Sequence, residues 1–192
     1  MPKFATPKHL LLARFKHDTR GLAATEFAII LPLMLMIFFG TIELSTGFAV
    51  DRKVTLLART LSDLTSQASS VSNTDLSNAF AVGAAIMTPY SSAPIQAIIS
   101  QVYIDPATLT AKVKWSTASN AAARSCNSTV PVPSGLLIGG TYLIMSEVTY
   151  NFTPIANFNL GSSPPTFALS ETNFARPRQF NSVTNTDAPP CT

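Results

Sequence analysis

A chain of 192 residues has room for one compact domain and a membrane element, and its net charge of +3 is spread unevenly. Residues 1–21 hold Lys3, Lys8, Arg14, Lys16 and Arg20 against Asp18, a balance of +4, whereas the remainder holds 8 basic and 9 acidic side chains, a balance of −1. The basic character belongs to a short leader, and the body carries no patch that would bind nucleic acid. Charged residues make up 12% of the chain, about half the usual share for a soluble domain. Ser, Thr, Asn, Ala and Pro replace them, giving the weakly charged surface of an exported or assembled protein.

After the leader, positions 22–42 are apolar except for Glu26 and a few hydroxyls. A helix of that length spans roughly 31 Å, close to the ~30 Å hydrocarbon core of a bilayer. Basic residues precede it and Glu43 follows, so the positive-inside rule puts the leader in the cytoplasm and the body outside, across a bacterial inner membrane. A cleaved secretory signal fits less well: Gly47-Phe48-Ala49 is a poor cleavage site and Glu26 interrupts the start of the run. Pro32 removes one helix hydrogen bond and is expected to bend or loosen the helix there, although membrane helices tolerate proline.

Val50, Val54, Leu57, Leu61 and Leu64 continue a helical seam, predicting one helix over 22–67 that packs on the domain behind it. A Ser-rich linker follows, then a short helix over 75–87 capped by Thr74 or Asn73. Strands are expected at Ile95–Ile104 and 109–116, joined by Asp105-Pro106-Ala107-Thr108. Leu109, Ala111, Val113 and Trp115 should face inward, with Thr110, Lys112 and Lys114 outward. A looser stretch, 117–140, leads to a third strand over 141–152 with Tyr142, Ile144, Val148, Tyr150 and Phe152 on one face. From Thr153 the chain is rich in Pro, Asn and Ser and shows little periodicity. The predicted fold class is α+β: a leader (1–21), a transmembrane and amphipathic helix (22–67), and an extracytoplasmic domain (68–192) built on a small antiparallel sheet.

Cys126 and Cys191, 65 residues apart, suit a disulfide if the body lies outside the cytoplasm; otherwise they are two separate thiols. The body has no histidine, and joining the two cysteines removes its thiols. Ser-His and Cys-His nucleophiles and His-ligated zinc then lack their parts. Its carboxylates Asp51, Asp63, Asp75, Asp105, Glu147, Glu171 and Asp187 are scattered, and no phosphate-binding or dinucleotide fingerprint appears. The reading is a non-enzymatic protein with no cofactor and no metal. Arg176-Pro177-Arg178 reads as an exposed charged turn.

Arg20-Gly21, then Glu26-Phe27, Leu31-Pro32 and Gly40-Thr41-Ile42-Glu43-Leu44 resemble the TadE-like family, pilin-like minor proteins of the tight-adherence (Flp-type) pilus. The resemblance covers about residues 20–55. It implies a pilin-like fold, cleavage between Gly21 and Leu22 by a prepilin peptidase acting in trans, and an assembly role for Glu26, Phe27 and Pro32 through helix packing with other pilin-like subunits. Major pilins of that system carry Glu-Tyr where this chain has Glu26-Phe27 and are much shorter, so the resemblance implies a minor component. The competing reading is an uncleaved, membrane-anchored periplasmic binding or adhesion domain that enters no filament.

Overall fold

The structure is a computed structural model, described here for residues 20–154, 165–188 and 191; the leader before Arg20 and the segment 155–164 lie outside the described residues. Two compact units divide the chain, Met1–Leu44 and Ser45–Thr192. Helix α1 (Arg20–Ser66) runs through the boundary without interruption in its assignment, Pro32 included. The antiparallel sheet that follows makes the architecture α+β, as the sequence pattern predicts.

In the second unit, the seam of α1 is formed by Val50, Val54, Leu57, Ala58 and Leu61, all at most 1% exposed. Leu64 departs from expectation: it is 40% exposed, and Thr65 is buried in its place. The 3.6-residue period brings Thr65, four positions after Leu61, back under the helix and leaves Leu64 on its flank. The buried Thr65 hydroxyl donates to the Leu61 carbonyl at 2.8 Å, so it carries no unpaired polar atom into the core.

Strand β1 (Ser70–Val71) and helix α2 (Asn73–Ile86) follow. The cap of α2 is Ser72 rather than Thr74 or Asn73. Its hydroxyl accepts the Asp75 N–H, and the Asp75 carboxylate accepts the Ser72 N–H at 2.9 Å. Only Ser72 has an acid three positions on, so only it can form this reciprocal box. At the other end of α2, Lys53 donates to the carbonyls of Ile86 and Thr88, satisfying a helix C-terminus with a cation. The two helices meet so closely at Gly83 that a Cβ there would lie 2.4 Å from Leu57 Cδ1.

The main sheet contains β2 (Ile95–Ile104), β3 (Ala111–Ser119), β4 (Thr129–Val130), β5 (Tyr142–Phe152) and β6 (Phe167–Ala175), in the order β4-β3-β2-β5-β6 and antiparallel throughout. One face, with Ile95, Ala97 and Ile99 of β2 and Ile144, Val148 and Tyr150 of β5, shares a core with α1. The buried Ser146 hydroxyl on that face donates to the Ala58 carbonyl at 2.5 Å. The other face, with Val102, Ile104, Leu143 and Met145, is covered by Val130, Val132, Leu136 and Leu137.

β3 corrects the expected register. It begins at Ala111, and Leu109 sits in the preceding turn with φ 53° and nearly half its surface exposed. Gln101 pairs with Trp115 and Val102 with Val113, so Lys114 is an extra residue in β3. That bulge turns Trp115 to the helix-covered face, while Ala111 and Val113 serve the opposite one. A period-2 reading carried through Lys114 therefore put these residues on one face when they occupy two.

The tail also departs from expectation, since it contains the nine-residue edge strand β6 and the short β7 (Thr184–Asn185). β7 pairs in parallel with β1. Val183 is fully buried, and its carbonyl accepts the Trp115 indole N–H at 2.7 Å. Cys191 is bonded to Cys126, with a Cα separation of 5.5 Å. Arg124, two residues before Cys126, makes a two-pronged contact with Glu147 of β5, both bonds 2.5 Å, and the carboxylate holds its guanidinium above the usual range.

Candidate functional site

The residues singled out by their spacing fall in the first unit, on the first turns of α1. Residues 21–42 are exposed throughout, among them Leu22, Phe27, Ile29, Ile37 and Phe38, each at about 60% or more. An apolar surface of this size with no protein against it is the signature of a segment whose solvent is lipid. Among the described residues, α1 is the one helix long and apolar enough to cross a membrane, and it provides a single-pass anchor. Its hydroxyls are satisfied internally, Thr25 donating to the Leu22 carbonyl and Thr41 to that of Ile37, each at 2.8 Å. Pro32 has no N–H to offer the Ala28 carbonyl one turn back, and the helix continues through it.

The Gly21-Leu22 bond lies in the first turn of α1, where backbone N–H groups lack helical acceptors. Glycine is also about 1 kcal/mol worse than alanine in a helix, so this is the least costly place to unwind the backbone. Open space surrounds Gly21. One turn and a third further on, Glu26 is exposed and has no hydrogen bond or ion pair among the described residues. Phe27 lies beside it, 60% exposed. Gly21, Leu22, Glu26 and Phe27 thus share one short stretch, with Pro32 a turn and a half beyond.

Five of the seven carboxylates of the second unit, all but Asp51 and Glu171, have structural duties. Asp75 is held below its ordinary range by the Ser72 hydroxyl and backbone, and Asp105 by the N–H groups of Ala107 and Thr108. Glu147 engages Arg124, Asp63 engages Arg178, and Asp187 accepts the Asn73 N–H at 2.7 Å. No group of three or more His, Cys, Asp or Glu among the described residues is placed to hold a metal. The Arg124–Glu147 pair had no signal in the sequence, because its partners are 23 residues apart on a loop and a strand.

Residues 21–61 match the family model of TadE-like protein. The match covers α1 up to Leu61 and stops before the sheet. That family is a structural one of tight-adherence pilus systems. No curated protein and no solved structure matches the chain.

Proposed function

We propose, from the TadE-like character of residues 21–61, that the chain is a minor pilin-like component of a tight-adherence pilus. In this reading the helix is inserted in the inner membrane, the folded unit is periplasmic, and a prepilin peptidase cuts between Gly21 and Leu22. The carrying observation is Glu26, an exposed carboxylate without a partner among the described residues, at the start of a membrane-length apolar helix. A charge in that setting needs a counter-charge or a purpose.

Cleavage supplies the counter-charge. Hydrolysis of the Gly21-Leu22 amide leaves a carboxylate on the released leader and an amine on Leu22, which is protonated near neutral pH. It also removes a leader of +4 and leaves a body of −1. The Leu22 ammonium of one subunit then faces Glu26 of a neighbour as apolar helices pack. Desolvation offsets much of the attraction, so the pair fixes axial register more than it adds stability.

N-terminal sequencing of the membrane-extracted protein, from cells that contain the peptidase, tests this directly. The expected first residue is Leu22; a chain that still begins at Met1 or Pro2 refutes processing and leaves a membrane-anchored periplasmic domain. Gly21→Val should block maturation. Glu26→Leu should allow insertion and cleavage but abolish pilus incorporation, and normal pili from that variant would refute the register role.

A further inference from the structure

The second unit carries a surface that its fold does not use. A hollow of about 670 Å³ opens between α1 and the end of β6, with Arg59, Asp63, Leu64, Phe174, Arg176 and Arg178 on its walls. Its floor is tied by the Asn173 amide, which donates to the Ser62 hydroxyl at 2.7 Å. Arg178 is committed, since its guanidinium donates to Asp63 and its N–H to the Ser66 carbonyl at 2.9 Å. Arg59 and Arg176 are exposed, and their guanidinium groups have no hydrogen bond or ion pair among the described residues. Three arginines and one carboxylate thus line the hollow, and only Arg178 is paired with that carboxylate, leaving two positive charges uncompensated among the described residues. A guanidinium presents a planar fork of donors that matches a carboxylate.

The adjoining strand provides the second observation. The two edges of the main sheet are finished differently. On the β3 edge, β4 pairs with Ala111 and Lys112, Ser128 and Asn127 bond the backbone of Val113, and the Arg124 N–H bonds the Ser116 hydroxyl. On the other edge, β6 ladders only with β5 among the described residues, so its outer row of N–H and C=O groups is unpaired there. An edge nine residues long without proline or lysine is a template for an added strand. Glu171, Asn173 and Ala175 oppose Val148, Ser146 and Ile144, and so lie on the α1-covered face that opens into the hollow. Glu171 marks the negative end of this strip and Arg176 the positive end.

From the open edge and the uncompensated arginines together, we infer that β6 receives an extended peptide segment of a partner protein. The added backbone ladders with β6, and an acidic end places its carboxylates opposite Asn173 and Ala175, against Arg59 and Arg176. A polyanionic glycan or polyphosphate would satisfy the arginines but leave the edge unused, and an uncharged strand would do the reverse. The site is independent of whether the Gly21-Leu22 bond is cut.

The test uses the full chain in phosphatidylcholine nanodiscs. The fluorescent probe is a peptide of about nine residues, the length of β6, alternating Thr and Val and tipped with two Glu, made with the acids at either terminus. Saturable binding of one of the two is expected. The double variant R59E/R176E should weaken it by about tenfold or more, the loss expected for charge-assisted hydrogen bonds. The double variant R59K/R176K should retain part of the affinity. Both arginines are exposed and unpaired, so an unchanged thermal melt will show that these variants are folded. Absence of saturable binding overturns the inference. So does equal binding of a probe tipped with Lys, of one with alternate amides N-methylated, or of polygalacturonate or polyphosphate.

Discussion

The two stretches of α1, residues 21–42 and 45–66, have the same backbone and opposite surroundings. In the first, Leu35 and Ile37 are 44% and 62% exposed; in the second, Leu57 and Leu61 are at most 1% exposed. Both stretches contain many aliphatic residues, but the first holds one charged side chain, Glu26, and the second five, Asp51, Arg52, Lys53, Arg59 and Asp63. Periodicity differs too: apolar residues surround the helix before Ile42, whereas after Ser45 the buried ones, Val50, Val54, Leu57, Ala58 and Leu61, form a seam, with Phe48, Leu56 and Leu64 left exposed. The first stretch is satisfied by its environment and the second by its own domain. A substitution should therefore register in the folded unit's stability only when it falls in the second.

Leu57→Ala against Leu35→Ala is the sharpest way to break this contrast. With unfolding in micelles followed through Trp115, the single tryptophan, Leu57→Ala should cost about 3–5 kcal/mol and Leu35→Ala less than about 0.5 kcal/mol. Equal costs would mean that the apolar stretch belongs to the domain core. Next in size is the tail. Replacing Cys126 and Cys191 by Ser frees a loop closed across 65 residues and should cost about 2–4 kcal/mol, with a change in Trp115 emission if Val183 leaves the indole.

Ser72→Ala should cost about 1 kcal/mol, the usual value of a lost N-cap. The same site predicts a pH dependence. Asp75 and Asp105 have depressed values in the folded chain, so the unfolded chain takes up protons first as acid is added. Their contribution is full above the ordinary carboxylate value of about 3.9 and is lost as pH falls below it toward the folded values. Asp75→Asn should flatten that acid slope in denaturation curves measured from pH 5 downward, so an unchanged slope would exclude a role for the cap. The smallest effect is expected for Arg178→Ala. Its pair with Asp63 is exposed on both sides, and the same unfolding assay should register a loss below about 1 kcal/mol.

What the sequence made legible followed from strong periodicity. The α1 pattern, the bounds Ile95–Ile104, and the inward face of β5 all come from apolar residues repeated at the helical or strand interval. The rest depends on partners distant in the chain. β6 alternates weakly because it is an edge strand, with no buried residue to mark its period. β7 is two residues long and exists through pairing with Ser70 and Val71, more than a hundred positions earlier. The bulge at Lys114 is silent in composition and appears only when β3 is matched against β2. The proposed processing and assembly residues stood out because Gly21 and Glu26 break an otherwise apolar pattern. The arginine hollow did not, since Arg59 and Arg176 are 117 residues apart in sequence.

The Cys126–Cys191 bond has a mechanical consequence as well. A chain pulled from α1 against its far end carries load along whichever covalent path is shortest. The bond bypasses the 65-residue span between the cysteines, which at about 3.4 Å per residue withholds roughly 220 Å of extension. In the β1–β7 ladder, Thr184 and Asn185 lie inside the bypassed span, while Ser70 and Val71 lie before it. Thiol chemistry at one loop therefore sets how far the whole body can lengthen before its backbone is taut.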